Sequence, residues 1–316
     1  MRALQYSSYG GLDRLELRED VREPERERGR VLVRVQRAAL NPKDVLVRKG
    51  KFRILSGRSF PKFTGLDFAG QVVFDATGEF GVGDRVFGAL DEWTFGRGTL
   101  AEIVSVRPRE VARLPDEVDM DQGAAIALCG LTALQAFRDN ARVSPGAAVL
   151  IHGASGGLGT AAIQVAKLLR ARAIASASSS RNLDLCASLG ATETFDYEKD
   201  DFLSTRRQPY DCIFDAFGTL TLARVRSALS ANGIFVSAIP TPLRVMKSAI
   251  ARFVSMRERL VIVKPNRDDL DRLGRWLASG ELRAVIDSRF PLARSRDAFA
   301  VLESKRARGK IMIEMA

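Results

Sequence analysis

Four glycines, Gly153, Gly156, Gly157 and Gly159, fall between an apolar run at 147–152 and a helical pattern at 158–169. Glycine lets a chain turn tightly and lets its backbone come close to a pyrophosphate. The N-terminus of the following helix offers unpaired N–H groups and a partial positive charge. Ser155, Gly156, Gly157, Leu158 and Gly159 are therefore the candidate contacts to a dinucleotide. The spacing departs from G-x-G-x-x-G, because counting back from Gly159 puts Ala154 where the first glycine of that pattern falls. The strand–turn–helix context carries the reading, and an ordinary tight turn is the alternative.

A second feature separates the two nicotinamide dinucleotides. An NAD-binding unit places Asp or Glu about 20 residues beyond the glycines, on the ribose 2′-hydroxyl. No acid occurs here between Lys167 and Asn182; Ser178, Ser179, Ser180 and Arg181 stand there instead. Hydroxyls and a guanidinium suit a 2′-phosphate, since arginine presents a fork of donors to phosphate oxygens. NADP(H) is the expected cofactor, with Arg181 as a solvated helix residue the alternative. His152, the only histidine, precedes the glycines with no acid or nucleophile nearby in sequence, and it reads as a packed strand-end residue. The three cysteines, Cys129, Cys186 and Cys212, form no CxxC pair. That argues against a disulfide framework and a conventional zinc site, and for a reducing compartment.

The elements that position these residues follow from texture. Up to about residue 120, short β-branched runs (around 30–35, 71–74 and 85–87) are punctuated by Gly and Pro. An apolar, small-residue stretch at 122–137 reads as a buried helix. From 145 onwards strands (147–152, 173–177, 211–215, 234–239, 260–263) alternate with helices (158–169, 182–189). Asn232-Gly233 is read as the turn into the strand at 234. Such alternation predicts an α/β fold, a doubly wound parallel sheet with helices on both faces. The last 40 residues read as strand-rich again, so a β-rich region is split around a βα core.

Composition sets the limits. The chain has 316 residues, 46% hydrophobic and 28% charged, which excludes a disordered or collagen-like protein. Neither a signal-peptide core in MRALQYSSYGG nor a run of about 20 apolar residues is present, so a cytoplasmic protein is expected. The net charge of +11 is unevenly placed: +7 over 1–60, −4 over 61–243 and +8 over 244–316. Acids are interleaved with the bases almost throughout, so solvated faces are read before any nucleic-acid or membrane partner.

Several separated segments carry a family resemblance. They are LNPKDVLVRKG (40–50), FTGLDFAGQVV (63–73), GVGDRVFGAL (81–90), GTLAEIVSV (98–106), ALCGLTALQAF (127–137) and GKIMIEM (309–315), with the glycine turn in mid-chain. Together they resemble the zinc-independent medium-chain dehydrogenase/reductase superfamily, and within it the NADPH:quinone oxidoreductase and enone reductase branch. The resemblance implies a β-rich, GroES-like catalytic domain (1–121 and 267–316) and an NADP-binding Rossmann domain (122–266), with a cleft between them. Zinc-dependent relatives carry a Cys, a Gly-His-Glu segment and a four-cysteine lobe. Here Ala39-Leu40-Asn41-Pro42 and Gly65-Leu66-Asp67 occupy the first two, and the lobe has no counterpart.

The resemblance also implies roles. Asn41 and Asp44 match an Asn-x-x-Asp at the nicotinamide end, with Asn41 offering its amide and Asp44 either catalytic or bracing the loop. Thr132 resembles a nicotinamide contact and Tyr197 a neighbour of the 2′-phosphate. Phe217, Gly218, Ala238 and Ile239 line the dinucleotide cleft. Lys310 resembles a C-terminal cleft residue and reads equally as a solvated side chain. The tyrosine that protonates an enolate in some relatives is missing from 45–52. The expected reaction is hydride transfer to a quinone, enone or alkenal. The alternatives are an enoyl-thioester reductase and a dinucleotide-fold binding protein with little catalysis. A homodimer, paired through the sheet edge at 234–239 or 260–263, is the expected assembly.

Overall fold

The computed structural model describes residues 1–91, 96–177, 179–204, 208–240, 244 and 257–315. The chain folds into two units, Met1–Leu128 with Lys264–Ala316, and Cys129–Val263. The first boundary falls inside helix Met120–Gln135. In chain order the strands of unit 1 are β1 (Ala3–Tyr6), β2 (Leu15–Arg18), β3 (Val31–Ala39), β4 (Lys62–Phe63), β5 (Asp67–Asp75), β6 (Arg85–Ala89), β7 (Ile103–Val106) and β8 (Val111–Arg113). Unit 2 carries β9 (Ala148–His152), β10 (Arg172–Ala177), β11 (Glu193–Asp196), β12 (Tyr210–Asp215), β13 (Leu229–Ser237) and β14 (Glu258–Leu260). β15 (Ile286–Pro291) and β16 (Lys310–Glu314) belong to unit 1 again.

Unit 1 is β-rich. A small sheet runs β2-β1-β4, and a larger one runs β15-β16-β3-β5-β6-β8, with β7 also on β3. β3 and β5 are buried over much of their length (Val31, Leu32, Val33 and Val35; Asp67, Phe68, Ala69 and Val72), and only Arg34 and Gln71 in them are exposed. The chain's last strand, β16, inserts antiparallel beside β3, with Met312 opposite Ala39 and Ile313 opposite Ala38.

Unit 2 is a six-stranded, all-parallel sheet in the order β11-β10-β9-β12-β13-β14. This is the doubly wound Rossmann arrangement, and the order reverses between β9 and β12. All five residues of β9 are buried, as a strand covered on both faces requires. Burying side chains such as Val149, Leu150 and Ile151 contributes about 1.5–3 kcal/mol each.

Four readings of the sequence need correction. Asn232-Gly233 is no turn: both lie within β13, where the register against β12 shifts between Tyr210 and Cys212. The strand placed at 260–263 is Glu258–Leu260. The buried helix stops at Gln135 and widens into a π-helical turn, Ala136–Ala141, closed by Arg142 in the left-handed region (φ 52°). The strand-rich tail includes helix Ser295–Glu303, a nine-residue segment whose buried face is Ser295, Ala298 and Phe299.

Candidate active site

In unit 1 strand register gathers residues far apart in sequence. Asp67 opens β5 opposite Ala39, the last residue of β3. Leu40 N–H donates to Ile311 O at 3.0 Å, which brings the start of β16 beside Asn41. Lys310 Nζ therefore lies 2.9 Å from Asp67 Oδ2 and 2.7 Å from Asn41 Oδ1. Asn41 Nδ2 donates to Asp67 Oδ2 at 2.7 Å and to Ala39 O at 3.3 Å. Leu128 N–H donates to Asp67 Oδ1 at 2.6 Å. Lys310 and Asp67 are an ion pair with side chains 6% and 0% exposed, so Lys310 is not a solvated residue. Such a pair is tolerated in the interior only when hydrogen bonds satisfy what the charges leave over, and here Asn41 and Leu128 do so. The carboxamide of Asn41 is thereby held at both ends.

Asp44 stands three residues into the same corner, where helix Pro42–Arg48 begins with Asn41 as its N-cap. Its carboxylate accepts Asn41 N–H at 2.8 Å and Gly65 N–H at 3.2 Å. These contacts brace the loop. Burial pushes the Asp44 carboxyl up to about 6; Asn41 N–H opposes the rise, the Asp67 charge adds to it, and Lys310 and Gly65 N–H oppose it. The folded chain thus holds this proton more tightly than the unfolded chain does. The resulting stabilisation is complete below the ordinary carboxylate range and is lost as pH rises through about 6, an effect on the order of 3 kcal/mol. Denaturant titrations across that window are expected to show parent stability falling relative to Asp44→Asn. Parallel curves for the two proteins would contradict the assignment.

In unit 2 the turns that leave β9, β12 and β13 meet where the strand order reverses. Gly153 takes φ +78°, and a Cβ there would lie 2.8 Å from Phe217 Cβ. Gly159 packs the helix Gly157–Leu168 onto the turn so closely that a Cβ would meet Gly153 O at 2.2 Å. Gly156 caps that helix, Gly157 and the half-buried Leu158 open it, and their N–H groups belong to its free first turn. Buried Ser155 accepts a hydrogen bond from Asn182 Nδ2 at 3.3 Å. After β12, the buried Asp215 carboxylate accepts N–H groups of Phe217, Gly218 and Leu220 at 2.7–3.1 Å and fixes that turn. Ala238 N–H donates to Asp215 O at 3.1 Å, and the Ile239 side chain sits where a Gly218 Cβ would be. The predicted residues 155–159, Phe217, Gly218, Ala238 and Ile239 therefore share one surface at the carboxyl ends of three strands.

Past β10, Ser178 lies outside the described residues. Ser179 Oγ is buried with no hydrogen-bond partner among the described residues, a donor of the kind a bound phosphate would satisfy. Ser180 Oγ donates to Asp196 Oδ2 at 3.0 Å and accepts Lys199 Nζ at 3.0 Å, so its hydroxyl is already engaged. Arg181 is exposed. Asp196, the last residue of β11, and Lys199 just beyond it lie outside the stretch about 20 residues past the glycines where an NAD-type acid is expected. Tyr197 packs its half-buried ring against His152, centroids 5.7 Å apart and the planes tilted by 57°. His152 packs against Phe202 and shares a 2.8 Å hydrogen bond between Nε2 and Thr219 Oγ1. Burial holds its pKa below the ordinary value, more than Asp215 raises it, as suits a neutral core histidine. Thr132 is buried in helix Met120–Gln135.

Comparison with known proteins places this geometry. Residues 27–116 match the family model for the alcohol dehydrogenase GroES-like domain, and 189–313 match that for zinc-binding dehydrogenase. The chain is 32% identical to the chloroplast envelope quinone oxidoreductase homolog of Arabidopsis thaliana, over 99% of this chain and 98% of that one. It is also 32% identical to the NADPH-dependent alkenal/one oxidoreductase of the same plant, over 99% and 79% respectively. The structure of the quinone oxidoreductase from Coxiella burnetii superposes with a TM-score of 0.90 at 30% identity, covering 100% of this chain and 99% of that one.

The zinc named in one family description does not fit the residues present. The carboxylate of Asp67 is already neutralised by the Lys310 ammonium, and the apolar Leu66 stands beside it. All three cysteines are buried and lie in unit 2, and burial pushes the Cys212 thiol well above its ordinary value.

Proposed function

The chain belongs to the medium-chain dehydrogenase/reductase superfamily, and from that premise we propose that it is an NADPH-dependent reductase of quinones and α,β-unsaturated carbonyls. The observation that carries the reading is the joined surface of 153–159, Phe217–Gly218 and Ala238–Ile239 at the reversal of a parallel sheet, the place where this fold takes a dinucleotide. The family relatives named for quinones and for NADPH-dependent alkenal reduction support the substrate class and the cofactor. Bound NADPH supplies the hydride.

The protein's own part is positioning. In unit 2 the helix N-terminus at Gly156, Gly157 and Leu158 holds the pyrophosphate, and Ser179 with Arg181 holds the 2′-phosphate, with Lys199 adding charge nearby. Phe217, 41% exposed on its Asp215-fixed turn, offers an apolar face. In unit 1 the amide of Asn41, proposed as a nicotinamide contact, is pre-oriented by Asp67 and Lys310 and costs little to organise; in unit 2 Thr132 is the nicotinamide contact proposed. Asp44 acts through the loop it braces. Tyr9, a tyrosine of unit 1, donates its hydroxyl to Gly57 O and is no free acid. A quinone suits this chemistry because its reduced oxygen is a weaker base than an enolate, and water completes the protonation.

Replacing Arg181 by alanine is expected to raise KM for NADPH about tenfold, with NADH little affected. Coenzyme titration of both proteins checks this; equal losses for the two coenzymes would remove the 2′-phosphate assignment. Turnover of crotonyl-CoA with none on simple quinones would move the substrate class to enoyl thioesters. A homodimer is part of the proposal, through β14: it is the outermost strand of its sheet, whereas β13 is flanked on both sides. Sedimentation equilibrium returning monomer at micromolar concentration would exclude it.

A further inference from the structure

Between Asp44 and Asp67 no acid occurs, yet six bases do: Arg48, Lys49, Lys51, Arg53, Arg58 and Lys62. Three are used inside unit 1. Arg48 is fully buried and pairs with Glu303, Lys49 reaches the same carboxylate, and buried Lys62 donates to Ser56 O at 2.7 Å. Lys51, Arg53 and Arg58 are exposed and have no ion-pair partner among the described residues. In the same turn, Ile54 is 92% exposed and Leu55 58%.

The tip is held in this posture. Ser56 N–H donates to Phe52 O at 2.8 Å and Gly57 N–H to Arg53 O at 3.0 Å, which closes the turn Arg53–Ser56. Beneath it, Tyr9 hydrogen-bonds Ser56 Oγ and Gly57 O. Lys62 Nζ lies 5.0 Å from the Phe60 ring centroid and 6.0 Å from that of Tyr9. A buried ammonium and a tyrosine thus fix the backbone under the tip, so Ile54 and Leu55 stand in water instead of folding back. Isolated apolar side chains on a surface are ordinary, but a fixed apolar pair ringed by unpaired cations matches one kind of partner. An anionic bilayer is negative at the headgroups and apolar just below them. A nucleic acid would satisfy the cations and leave the apolar pair in water.

We infer that the tip at 51–58 docks unit 1 on an anionic lipid surface, with Lys51, Arg53 and Arg58 on the headgroups and Ile54 and Leu55 at the acyl boundary. The inference is independent of the proposed reaction, since its test reads lipid binding and no turnover. The full chain is sedimented with phosphatidylglycerol–phosphatidylcholine vesicles and with phosphatidylcholine vesicles alone. Binding to the anionic vesicles only, weakening as salt rises, is expected. Each basic side chain is worth about fivefold in partition, so Arg53→Glu with Arg58→Glu is expected to weaken binding by about 25-fold or more. Ile54→Ser with Leu55→Ser is expected to weaken it about tenfold at unchanged salt. Both variants change exposed residues, and circular dichroism checks that they fold as the parent does. Equal binding to both vesicle types, or unchanged binding by either folded variant, would overturn the inference. So would equally tight binding to a random oligonucleotide that ignores Ile54→Ser with Leu55→Ser, which would assign the patch to polyanions.

Discussion

Lys310→Met is expected to destabilise the protein by about 3–5 kcal/mol, measured by denaturant unfolding near neutral pH. The size follows from what is left behind. Asp67 is fully buried, and its Oδ2 would keep only the Asn41 amide against a full negative charge. Asn41 Oδ1 would lose its 2.7 Å donor at the same time. The paired variant, Lys310→Met with Asp67→Asn, is expected to recover much of the loss, because removing both charges leaves no uncompensated ion. NADPH affinity reads the other unit and is expected to fall much less than kcat in Lys310→Met, since Asn41 loses its fixed orientation. A single variant within about 1 kcal/mol of the parent would show that the pair holds nothing in place.

The second large effect is at the glycine turn. In Gly159→Val the new Cβ would meet Gly153 O at 2.2 Å and Ala154 Cα at 2.6 Å. Both contacts are with backbone, so the helix must separate from the turn, and NADPH affinity is expected to fall by about a hundredfold or more. Gly156→Ala separates packing from binding. Its Cβ meets only Gly153 O, at 3.7 Å, and its backbone (φ −78°) suits any residue. Stability is therefore expected to hold while the methyl group hinders approach of the pyrophosphate. If Gly159→Val bound NADPH as the parent does, the turn would not be the dinucleotide site.

How much of this was legible in the sequence depends on distance along the chain. The βα turn was readable because strand, glycines and helix are contiguous, and burial of all of β9 follows from its unbroken apolar run. The convergence of Lys310 on Asn41 and Asp67 was not. Those residues lie 269 and 243 positions apart and meet only through the register of β16 on β3. Asp67 stood out in the sequence as a departure from a zinc pattern and Lys310 as a C-terminal cleft residue, but nothing in the sequence pairs the two. Ser180 looked free because Asp196 comes from the next strand, 16 residues on. Asn232-Gly233 misled because the dipeptide favours turns in isolation, whereas here it lies inside β13, in the register shift between Leu229 and Ile234, the residues on either side that pair with β12. The exposure of Ile54 and Leu55 depends on Tyr9 and Lys62, which composition does not reveal.

The central claim is tested most directly by NADPH oxidation, measured in one assay series against quinones, enones, alkenals and an enoyl-CoA. Saturable turnover with a quinone or a reactive alkenal, faster with NADPH than with NADH and lost in Gly159→Val, is the predicted result. No turnover with any acceptor, by a protein that binds NADPH, would contradict it and leave a dinucleotide-binding protein without this reaction.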